Sequence, residues 1–398
     1  MLSAFSGLGG LDLGLESAGF DHAGLVERDS NARRSLKANR DGTWPLLDTP
    51  DVLRVARVIK PRDLGLASGE LTILAGGPPC QPFSVAAQWA SSARIGLADE
   101  RATPLMGFLA LIEGLLPEAV LIENVPGFIQ GSTSALDLVE RELRRINMVH
   151  GTSYATESAN VDAARYGVPQ RRIRSIVVAC RSGQRFLWPA ETHTENPMRA
   201  WDAIGDSDEL REDPMPISAG KWAGLLPSIP EGRNYQWHTS FGGGRELFGY
   251  RTRYWSFLLK LAKSKPSWTI AAQPGPATGP FHWDNRPLTT AEMLRLQSFP
   301  STWRVEGVRR EKVRQIGNAT PPLLAEVFGR AIKRQLGFSI AANGPLLALE
   351  RRNSVPDPEP ILPVASGFLE LEGQHAAHAG TGRGPSPRRE ADESIVAD

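Results

Sequence analysis

Short apolar runs alternate with longer amphipathic runs through the first half of the chain. Five of the apolar runs are rich in aliphatic or β-branched residues and are bounded by Gly, Pro or charge: residues 2–5, 22–27, 71–75, 119–125 and 173–179. Such runs are typical of buried strands. Between the last two, Leu136, Val139, Leu143 and Ile146 recur at helical spacing and predict a helix within residues 134–146. Strands alternating with helices predict a parallel α/β sheet covered on both faces.

The composition changes after about residue 193 and predicts a second domain. Residues 1–193 carry the strand and helix pattern, and residues 314–338 complete this first domain with an amphipathic run that begins at Thr320 and Pro321 and stops at Gly337. Residues 194–313 are rich in Trp, Pro, Gly and charge, so we expect a smaller, irregular domain that ends in a helix near Thr289 and Glu292. Residues 339–398 form an extension, which we expect to be disordered from about 351.

The charge of the whole chain says little about its partners. Of its 398 residues, 45 are Lys or Arg and 44 are Asp or Glu, a formal charge of +1. Locally, six arginines without an intervening acid occupy residues 165–185, and a second basic run with aromatic residues covers 250–265. Either run could follow phosphates and stack on bases, or could be an ordinary solvated face.

Location and redox state follow from what the sequence lacks. The apolar runs are much shorter than the ~20 residues that cross a bilayer, and no basic segment followed by an apolar one opens the chain. Cys80 and Cys180 lie in such different surroundings that a disulfide is not expected. We therefore expect a cytoplasmic protein.

The stretch FSGLGGLDLGLESAG, residues 5–19, predicts a strand end, a glycine turn and a helix. Glycines let a backbone approach a ligand, and the helix N-terminus adds a positive dipole end. The dinucleotide pattern GxGxxG would need a third glycine where Asp12 stands, which disfavours a nicotinamide oxidoreductase. Glu27 ends the next predicted strand, where an acid can accept the ribose hydroxyls of a nucleoside.

The stretch GGPPCQPFS places Cys80 just after a predicted strand, on a loop that Pro78, Pro79 and Pro82 stiffen. Open α/β sheets bind ligands at this edge. A buried structural cysteine more often lies inside an apolar run, as Cys180 does, and no second Cys or nearby His offers metal-ligand spacing. Cys80 is therefore a candidate nucleophile, with no metal expected.

Glu123, in the stretch ENV, ends another predicted strand and could share this edge with Cys80. A thiol and an acid in one cleft suit addition to an electron-poor carbon with protonation where charge develops. In QRRIR, Arg172 and Arg174 share one face of a strand and could meet an anion or the cleft carboxylate. Ordinary strand-end residues are the alternative for all three.

Taken together and in this order, these motifs resemble the DNA (cytosine-5) methyltransferase family. The resemblance spans residues 2 to about 336 and includes FSGLGG, VERD, PPCQPFS, ENV, QRRIR, RPLTTAEMLRLQSFP and QIGNATPP. It implies a Rossmann-like methyltransferase sheet with helices on both faces, joined to a smaller irregular target-recognition domain. It also implies transfer of a methyl group from S-adenosyl-L-methionine (AdoMet) to C5 of cytosine.

The resemblance implies a role for each motif residue. Cys80 would attack C6 of a flipped cytosine, Glu123 would stabilise the N3 side, Arg172 would hold the base oxygen and Glu123, and Arg174 would support them. AdoMet would be bound by Phe5, Gly7, Leu8, Gly9, Glu27, Asp51, Val52, Pro79 and Asn318. Gln81 and Ser84 would contact DNA. In the variable region that reads the DNA sequence, Arg245, Arg251, Arg253 and His238 are candidate groove or phosphate contacts, and a purely structural role is the equal alternative for each.

The same resemblance implies a monomer that binds duplex DNA, with a cognate restriction endonuclease or defence-system proteins as partners. Two rival interpretations stay open on the sequence. One is a tRNA cytosine-5 methyltransferase of the same superfamily, and the other is a catalytically silent DNA-binding module on the same fold.

Overall fold

The computed structural model describes residues 1–79, 103–130, 134–205, 208–212, 215–218, 220–249, 254–340 and 342–373. The chain divides into two compact units. The first comprises Met1–Arg211, Pro266–Gln273 and Thr290–Asn353, and the second comprises Glu212–Lys265, Pro274–Thr289 and the described residues from Ser354 onward. Among the described residues, no helix is long and apolar enough to cross a membrane.

A six-stranded sheet forms the centre of the first unit. Its strands are β1 Leu2–Ala4, β2 Gly24–Val26, β3 Ile73–Gly76, β4 Ala119–Asn124, β5 Ala155–Asp162 and β6 Ile173–Cys180. They lie in the order β2-β1-β3-β4-β6-β5. The neighbouring pairs from β2 to β4 are parallel, whereas β6 is antiparallel to both β4 and β5.

Helices cover both faces of this sheet, as the alternating pattern predicted. In chain order they are α1 Gly10–Ser17, α2 Ser30–Arg40, α3 Val52–Val58, α4 Thr103–Leu115, α5 Leu136–His150, α6 Ala200–Ile204, α7 Thr290–Leu296, α8 Arg309–Asn318 and α9 Pro322–Gln335. The strands supply both cores because their side chains alternate: Leu74 and Val120 pack with α4 and α5, while Ile73 and Leu121 pack with α1 and α9.

The sequence predicted five of the six strands and an all-parallel sheet, and the structure corrects both points. Strand β5 was missed because it is a sheet edge whose residues, ATESANVD, are mostly polar and only partly buried. The turn between β5 and β6 spans only residues 163–172 and includes a short 3₁₀ helix at Ala163–Tyr166. A parallel crossover needs a longer connection, so β6 returns antiparallel.

Helix α9 brings the last part of the first unit back to the helix that follows β1. It begins after Pro321 and ends before Gly337, as predicted, and it packs closely along α1. The approach is close enough that a Cβ on Gly14 would lie 2.3 Å from the carbonyl oxygen of Pro322. Glycine is required here because the backbones of the two segments nearly touch.

The second unit is irregular, in agreement with its composition. Its described elements are short 3₁₀ helices, including Ala223–Ser228 and Tyr235–His238, packed around a hydrophobic core that is mostly aliphatic. Partly buried aromatic rings pack against this core, and Phe257 has ring contacts to Trp222, Tyr235 and Phe248. Apolar and aromatic packing therefore contributes to the stability of this unit.

The C-terminal segment departs from the predicted disorder as far as Gly373. Phe368 stacks on Trp222 with ring centroids 6.1 Å apart, and Glu359 lies 2.6 Å from Nζ of the buried Lys263. The segment has too few apolar residues to build a core, but it adds Phe368 to a core that other residues build. The prediction of disorder from about 351 is therefore wrong for residues 351–373, and the remaining tail lies outside the described residues.

The unit boundaries also differ from those predicted. Residues 194–211 and 290–313 belong to the first unit, although the composition placed them with the second. Helix α6 explains part of this: Asp202 is buried and accepts hydrogen bonds from the side chain of Arg199 and from the backbone N–H of Arg352, both in the first unit.

We expect Gly10→Ala to destabilise the first unit. A Cβ at Gly10 would lie 2.0 Å from the carbonyl oxygen of Thr320, and overpacking of this kind costs about 1–3 kcal/mol. Gly114→Ala is the matched control, because a Cβ there meets nothing within 4 Å and alanine favours a helix by up to about 1 kcal/mol. Thermal unfolding should show a lower Tm for the first variant and an equal or higher Tm for the second; equal losses would contradict the packing.

Candidate active site

The predicted site residues of the first unit gather at one edge of the sheet. The turn of residues 5–9 follows β1, Glu27 follows β2, residues 77–79 follow β3 and Glu123 lies near the end of β4. Because β6 is antiparallel to β4, its first residues reach this same edge, and Asn124 pairs with Ser175. Ligands of open α/β sheets bind outside the carboxyl ends of the parallel strands.

The glycine turn after β1 is a sequence of left-handed residues. Phe5, Gly7 and Gly9 have φ values of 61°, 55° and 84°. Hydrogen bonds from Phe5 N to Val26 O and from Gly9 N to Ser6 O, each 2.8 Å long, hold the turn. A Cβ on Gly7 would meet only the Phe5 carbonyl, at 3.8 Å, so this side of the turn is open. The side chain of Leu8 is buried, which leaves only its backbone for a ligand.

Glu27 lies directly beside this turn. Its Oε2 accepts a hydrogen bond from Gly7 N at 2.7 Å, and its Oε1 accepts one from Asp29 N at 2.6 Å. Burial raises the pKa of the Glu27 carboxyl, and these two N–H donors oppose the rise by favouring the ionised form. The carboxylate is thus fixed in place at the edge of the sheet.

The other predicted cofactor residues differ in what they offer. Asp51 caps α3, because its Oδ1 accepts from Leu53 N at 2.9 Å and from Arg54 N at 3.2 Å. The side chain of Val52 is buried in the core. Pro79 and Asn318 are exposed, the latter at the end of α8. Asp51, Pro79 and Asn318 therefore remain accessible to a ligand, and Val52 offers mainly its backbone.

Glu123 forms an ion pair with Arg174. The Nε of Arg174 lies 2.9 Å from Oε1 of Glu123, and the two side chains are 12% and 8% exposed. The N–H is not aligned on Oε1, and no described residue donates a hydrogen bond to this oxygen. A nearly buried carboxylate with a free lone pair can accept a proton or a hydrogen bond from a bound base.

Arg172 has a different environment from the one that the motif implied. Its side chain is fully buried, and Nη2 donates to Gly317 O at 2.7 Å and to Ala319 O at 2.9 Å. In the described part of the chain the ion pair with Glu123 is formed by Arg174, and the role of Arg172 toward the base stays a prediction. The two side chains share one face of the strand, but Arg172 precedes β6 and reaches the turn between α8 and α9.

Asn124 is a site residue that sequence reasoning did not single out. Its side chain is buried, Nδ2 donates to Pro78 O at 2.9 Å, and Oδ1 accepts from Val125 N at 2.9 Å. It therefore fixes the segment that leads to Cys80 against the strand that carries Glu123. Its place beside Glu123 at the end of a predicted strand was the signal available.

Several predicted residues cannot be placed, and two others are redefined. Cys80, Gln81, Ser84, Arg251 and Arg253 lie outside the described residues. Within the second unit, Arg245 pairs with Glu372 at 2.8 Å and remains 55% exposed. His238 is buried, and its Nε2 and Nδ1 lie 2.9 Å from Ser228 Oγ and 3.0 Å from Arg245 O. It supports the loop that carries Arg245, which agrees with the structural alternative for this residue.

The described residues contain no group of three or more His, Cys, Asp or Glu side chains that could hold a metal ion. The chemistry available at the edge is instead that of an open glycine turn, two nearly buried carboxylates and an arginine. Glu27 is held by backbone donors, whereas Glu123 faces a charged side chain. One carboxylate is therefore suited to bind hydroxyl groups and the other to act on a base.

Comparisons with known proteins agree with this geometry. The family model of the C-5 cytosine-specific DNA methylases matches residues 1–334. The chain is 35% identical over 374 residues to the type II methyltransferase M.SacI of Streptomyces achromogenes, and the alignment covers 85% of this chain and 93% of that protein. It is 30% identical over 356 residues to the type II methyltransferase M.Eco47II of Escherichia coli, and that alignment covers 83% of this chain and 78% of the relative.

Solved structures show the same fold at lower identity. The Dnmt2 methyltransferase of S. pombe superposes with a TM-score of 0.55 at 16% identity, covering 85% of this chain and 99% of that one. The Entamoeba histolytica methyltransferase EhMeth gives 0.54 at 16% identity, covering 84% and 98%. With the sheet-edge site and the match over residues 1–334, the chain belongs to the C-5 cytosine-specific DNA methylase family and is a DNA (cytosine-5) methyltransferase.

Proposed function

We propose that this protein transfers a methyl group from AdoMet to C5 of cytosine in a specific sequence of duplex DNA, through a covalent bond between Cys80 and C6. The observation that carries the proposal is the pairing of Glu123 with Arg174 at the sheet edge, next to a segment that Asn124 binds just before Cys80. Two neighbouring strands thus bring the acid beside the segment that leads to the proposed nucleophile.

The chemistry requires both groups because C5 of cytosine is a weak nucleophile. Sγ of the Cys80 thiolate adds to C6, and the π electrons of the C5–C6 double bond shift toward N3, which takes a proton from Glu123. C5 then has enamine character and takes the electrophilic methyl group, with S-adenosyl-L-homocysteine as the leaving group. Return of the N3 proton to Glu123, loss of the C5 proton to a base and cleavage of the Sγ–C6 bond restore the ring and release the thiolate.

Arg174 would position the acid during this sequence. Its charge lies beside Glu123 in a nearly buried site, where electrostatic interactions are stronger than in water. The cytosine must leave the stacked duplex to reach these groups, at a cost of a few kcal/mol. Arg172 would contribute indirectly, by holding the turn at residues 317–319.

The residues at β1 and β2 fit AdoMet, which when bound supplies the electrophilic methyl group. Glu27 would accept the ribose hydroxyls, and the open side of Gly7 leaves room for the ligand beside the turn. Phe5, Leu8 and Gly9 line the same turn, and Asp51, Val52, Pro79 and Asn318 would complete the contacts. The fit depends on the buried Glu27 carboxylate, which is held by backbone donors, and on the open side of Gly7, which has no side chain to block the ligand.

The second unit would read the DNA sequence. Arg245 is exposed on its loop at residues 239–246 and could exchange Glu372 for a phosphate, because an exposed ion pair contributes little stability. The relatives are named as type II methyltransferases, which supports a cognate restriction endonuclease as a functional partner. Direct readout would depend on a few side chains at base edges.

We expect Cys80→Ser to abolish methyl transfer, since a serine hydroxyl is a far weaker nucleophile than a thiolate. Transfer of labelled methyl from AdoMet to unmethylated duplex DNA, with nucleoside analysis for 5-methylcytosine, measures this directly. Cys180→Ala is the control, because Cys180 is buried in β6 and should retain activity. Bisulfite sequencing of the product would give the recognition site.

Four outcomes would contradict the proposed function. Full activity of Cys80→Ser or methylation at cytosine N4 would exclude the covalent mechanism. Methylation of tRNA in preference to duplex DNA would favour the RNA-modifying alternative. Binding of DNA with no transfer by the wild-type protein would favour a silent binding module.

We expect Asn124→Ala to lower kcat by about tenfold to a hundredfold, the range that small displacements of reacting groups produce. Loss of the Asn124 side chain would leave Pro78 O without the amide that positions the segment before Cys80. Asn147→Ala is a matched control, since Asn147 also donates to a backbone carbonyl, that of Tyr154, at 2.9 Å, but on α5. Both variants should have a lower Tm, whereas only Asn124→Ala should lose kcat; equal kcat values would refute a positioning role.

As the pH falls, binding of AdoMet should begin to weaken at a higher pH than it would if Glu27 had an ordinary pKa. Burial raises the pKa of Glu27 above the usual 4.5, so the carboxylate gains a proton sooner as the pH falls. Below the raised pKa, the dissociation constant should increase by about tenfold per pH unit. Calorimetric titration at a series of pH values from neutral downward tests this, with Glu27→Gln expected to bind weakly and without this pH dependence. An identical pH profile for both proteins would exclude the role of Glu27.

A further inference from the structure

Six arginines lie between residues 165 and 185, and the structure gives internal partners to five of them. Three form ion pairs with acids: Arg165 with Glu191, Arg174 with Glu123 and Arg185 with Glu157. Two bind backbone carbonyls: Arg172 those of Gly317 and Ala319, and Arg181 those of Gly69 and Leu116. The run is therefore not a general phosphate-binding face.

Arg171 is the exception. Its side chain is exposed, and its guanidinium carbon lies 5.6 Å from the centre of the Trp268 ring. No ion pair joins Arg171 to an acid within the described part of the chain. A cation above an indole face is attracted to it, and the planar guanidinium group keeps its N–H donors free at the edges.

The backbone fixes the position of this pair. Arg171 N donates to Ser267 O at 2.7 Å, and Thr269 Oγ1 donates to Arg171 O at 2.7 Å. The side chains on either side of Arg171 point into the protein, because Gln170 and Arg172 are both fully buried. Alternation along the extended chain then directs Arg171 outward.

The pair lies at the edge where the reaction is proposed to occur. Arg171 is three residues before Arg174, which holds Glu123, and β6 begins where β4 ends. Arg171 is therefore an exposed cation at the edge where the base is proposed to bind. Arg174 and Arg172 cannot serve there as phosphate ligands, since they are occupied by Glu123 and by the carbonyls of residues 317 and 319.

We propose that Arg171, oriented by Trp268, binds a backbone phosphate of the DNA strand at the rim of the active site. The inference rests on the proposed function and adds a positioning residue to it. Guanidinium groups recognise phosphate through two parallel N–H donors, and stacking on Trp268 reduces the freedom lost on binding. The contact would fix the strand beside the cytosine and would read no base.

The test compares Arg171→Gln with Arg185→Gln. Both remove one exposed arginine near an end of β6, but Arg185 follows the strand's C-terminal end and pairs with Glu157. For Arg171→Gln we expect KM for duplex DNA to rise about fivefold to tenfold, kcat to stay within about twofold, and the slope of log K against log salt to fall by about 0.9. Arg185→Gln should keep the wild-type KM and salt slope.

Trp268 gives a second readout with its own pair of variants. Trp268→Phe keeps an aromatic face and should stay near the wild type, whereas Trp268→Leu should raise KM by part of the Arg171→Gln effect. In the double variant with Arg171→Gln, Trp268→Leu should add nothing further. Tm measurements identify any Trp268 variant that loses stability. The Arg171→Gln variant tests the phosphate contact without altering Trp268.

Equal effects of Arg171→Gln and Arg185→Gln would overturn the inference, because they would indicate only a change in overall charge. A fall in kcat with unchanged KM and unchanged salt slope would also overturn it. DNA affinity measured by fluorescence anisotropy needs no methyl transfer. An inactive wild-type protein would therefore count against the proposed function, whereas an unchanged affinity of Arg171→Gln would count against this phosphate contact.

Discussion

The first unit depends on the buried guanidinium group of Arg172. A charge without access to water is costly unless it is hydrogen-bonded, and Arg172 meets this need with the carbonyls of Gly317 and Ala319. These carbonyls lie at the C-terminal end of α8, so the requirement draws this end of the helix to the start of β6. Helix α9 can then pack along α1, which follows the glycine turn at residues 5–9.

The site combines fixed backbone with polar groups that have a remaining capacity to bind. Glu27 is held by two N–H donors, and Asn124 ties β4 to the segment before Cys80. Glu123 is different, since one of its oxygens faces Arg174 without an aligned hydrogen bond. The rigid contacts set the geometry of the edge, and the less satisfied carboxylate is the one available for chemistry.

Electrostatics in this chain are local. A net charge of +1 gives no long-range attraction to DNA. Most arginines of the 165–185 run form ion pairs with acids or hydrogen bonds with backbone carbonyls of the first unit. The second unit follows the same rule, since Arg245 pairs with Glu372 and Lys263 with Glu231 and Glu359. Within the 165–185 run, a contact to phosphate would then fall to Arg171, whose side chain is exposed.

The sequence by itself determined five strands, the helices on both faces and the order of the site motifs, because these depend on local periodicity and on the residue types that follow each strand. Tertiary structure decided what local patterns do not contain. It made β5 an edge strand, reversed β6, and gave Arg174 rather than Arg172 the ion pair with Glu123. It also packed Phe368 into the second core. The direction of β6 follows from the short turn before it, whereas the ion pair and the packing of Phe368 depend on partners distant in sequence. Burial of a charge or an apolar ring becomes favourable only when such a partner is present.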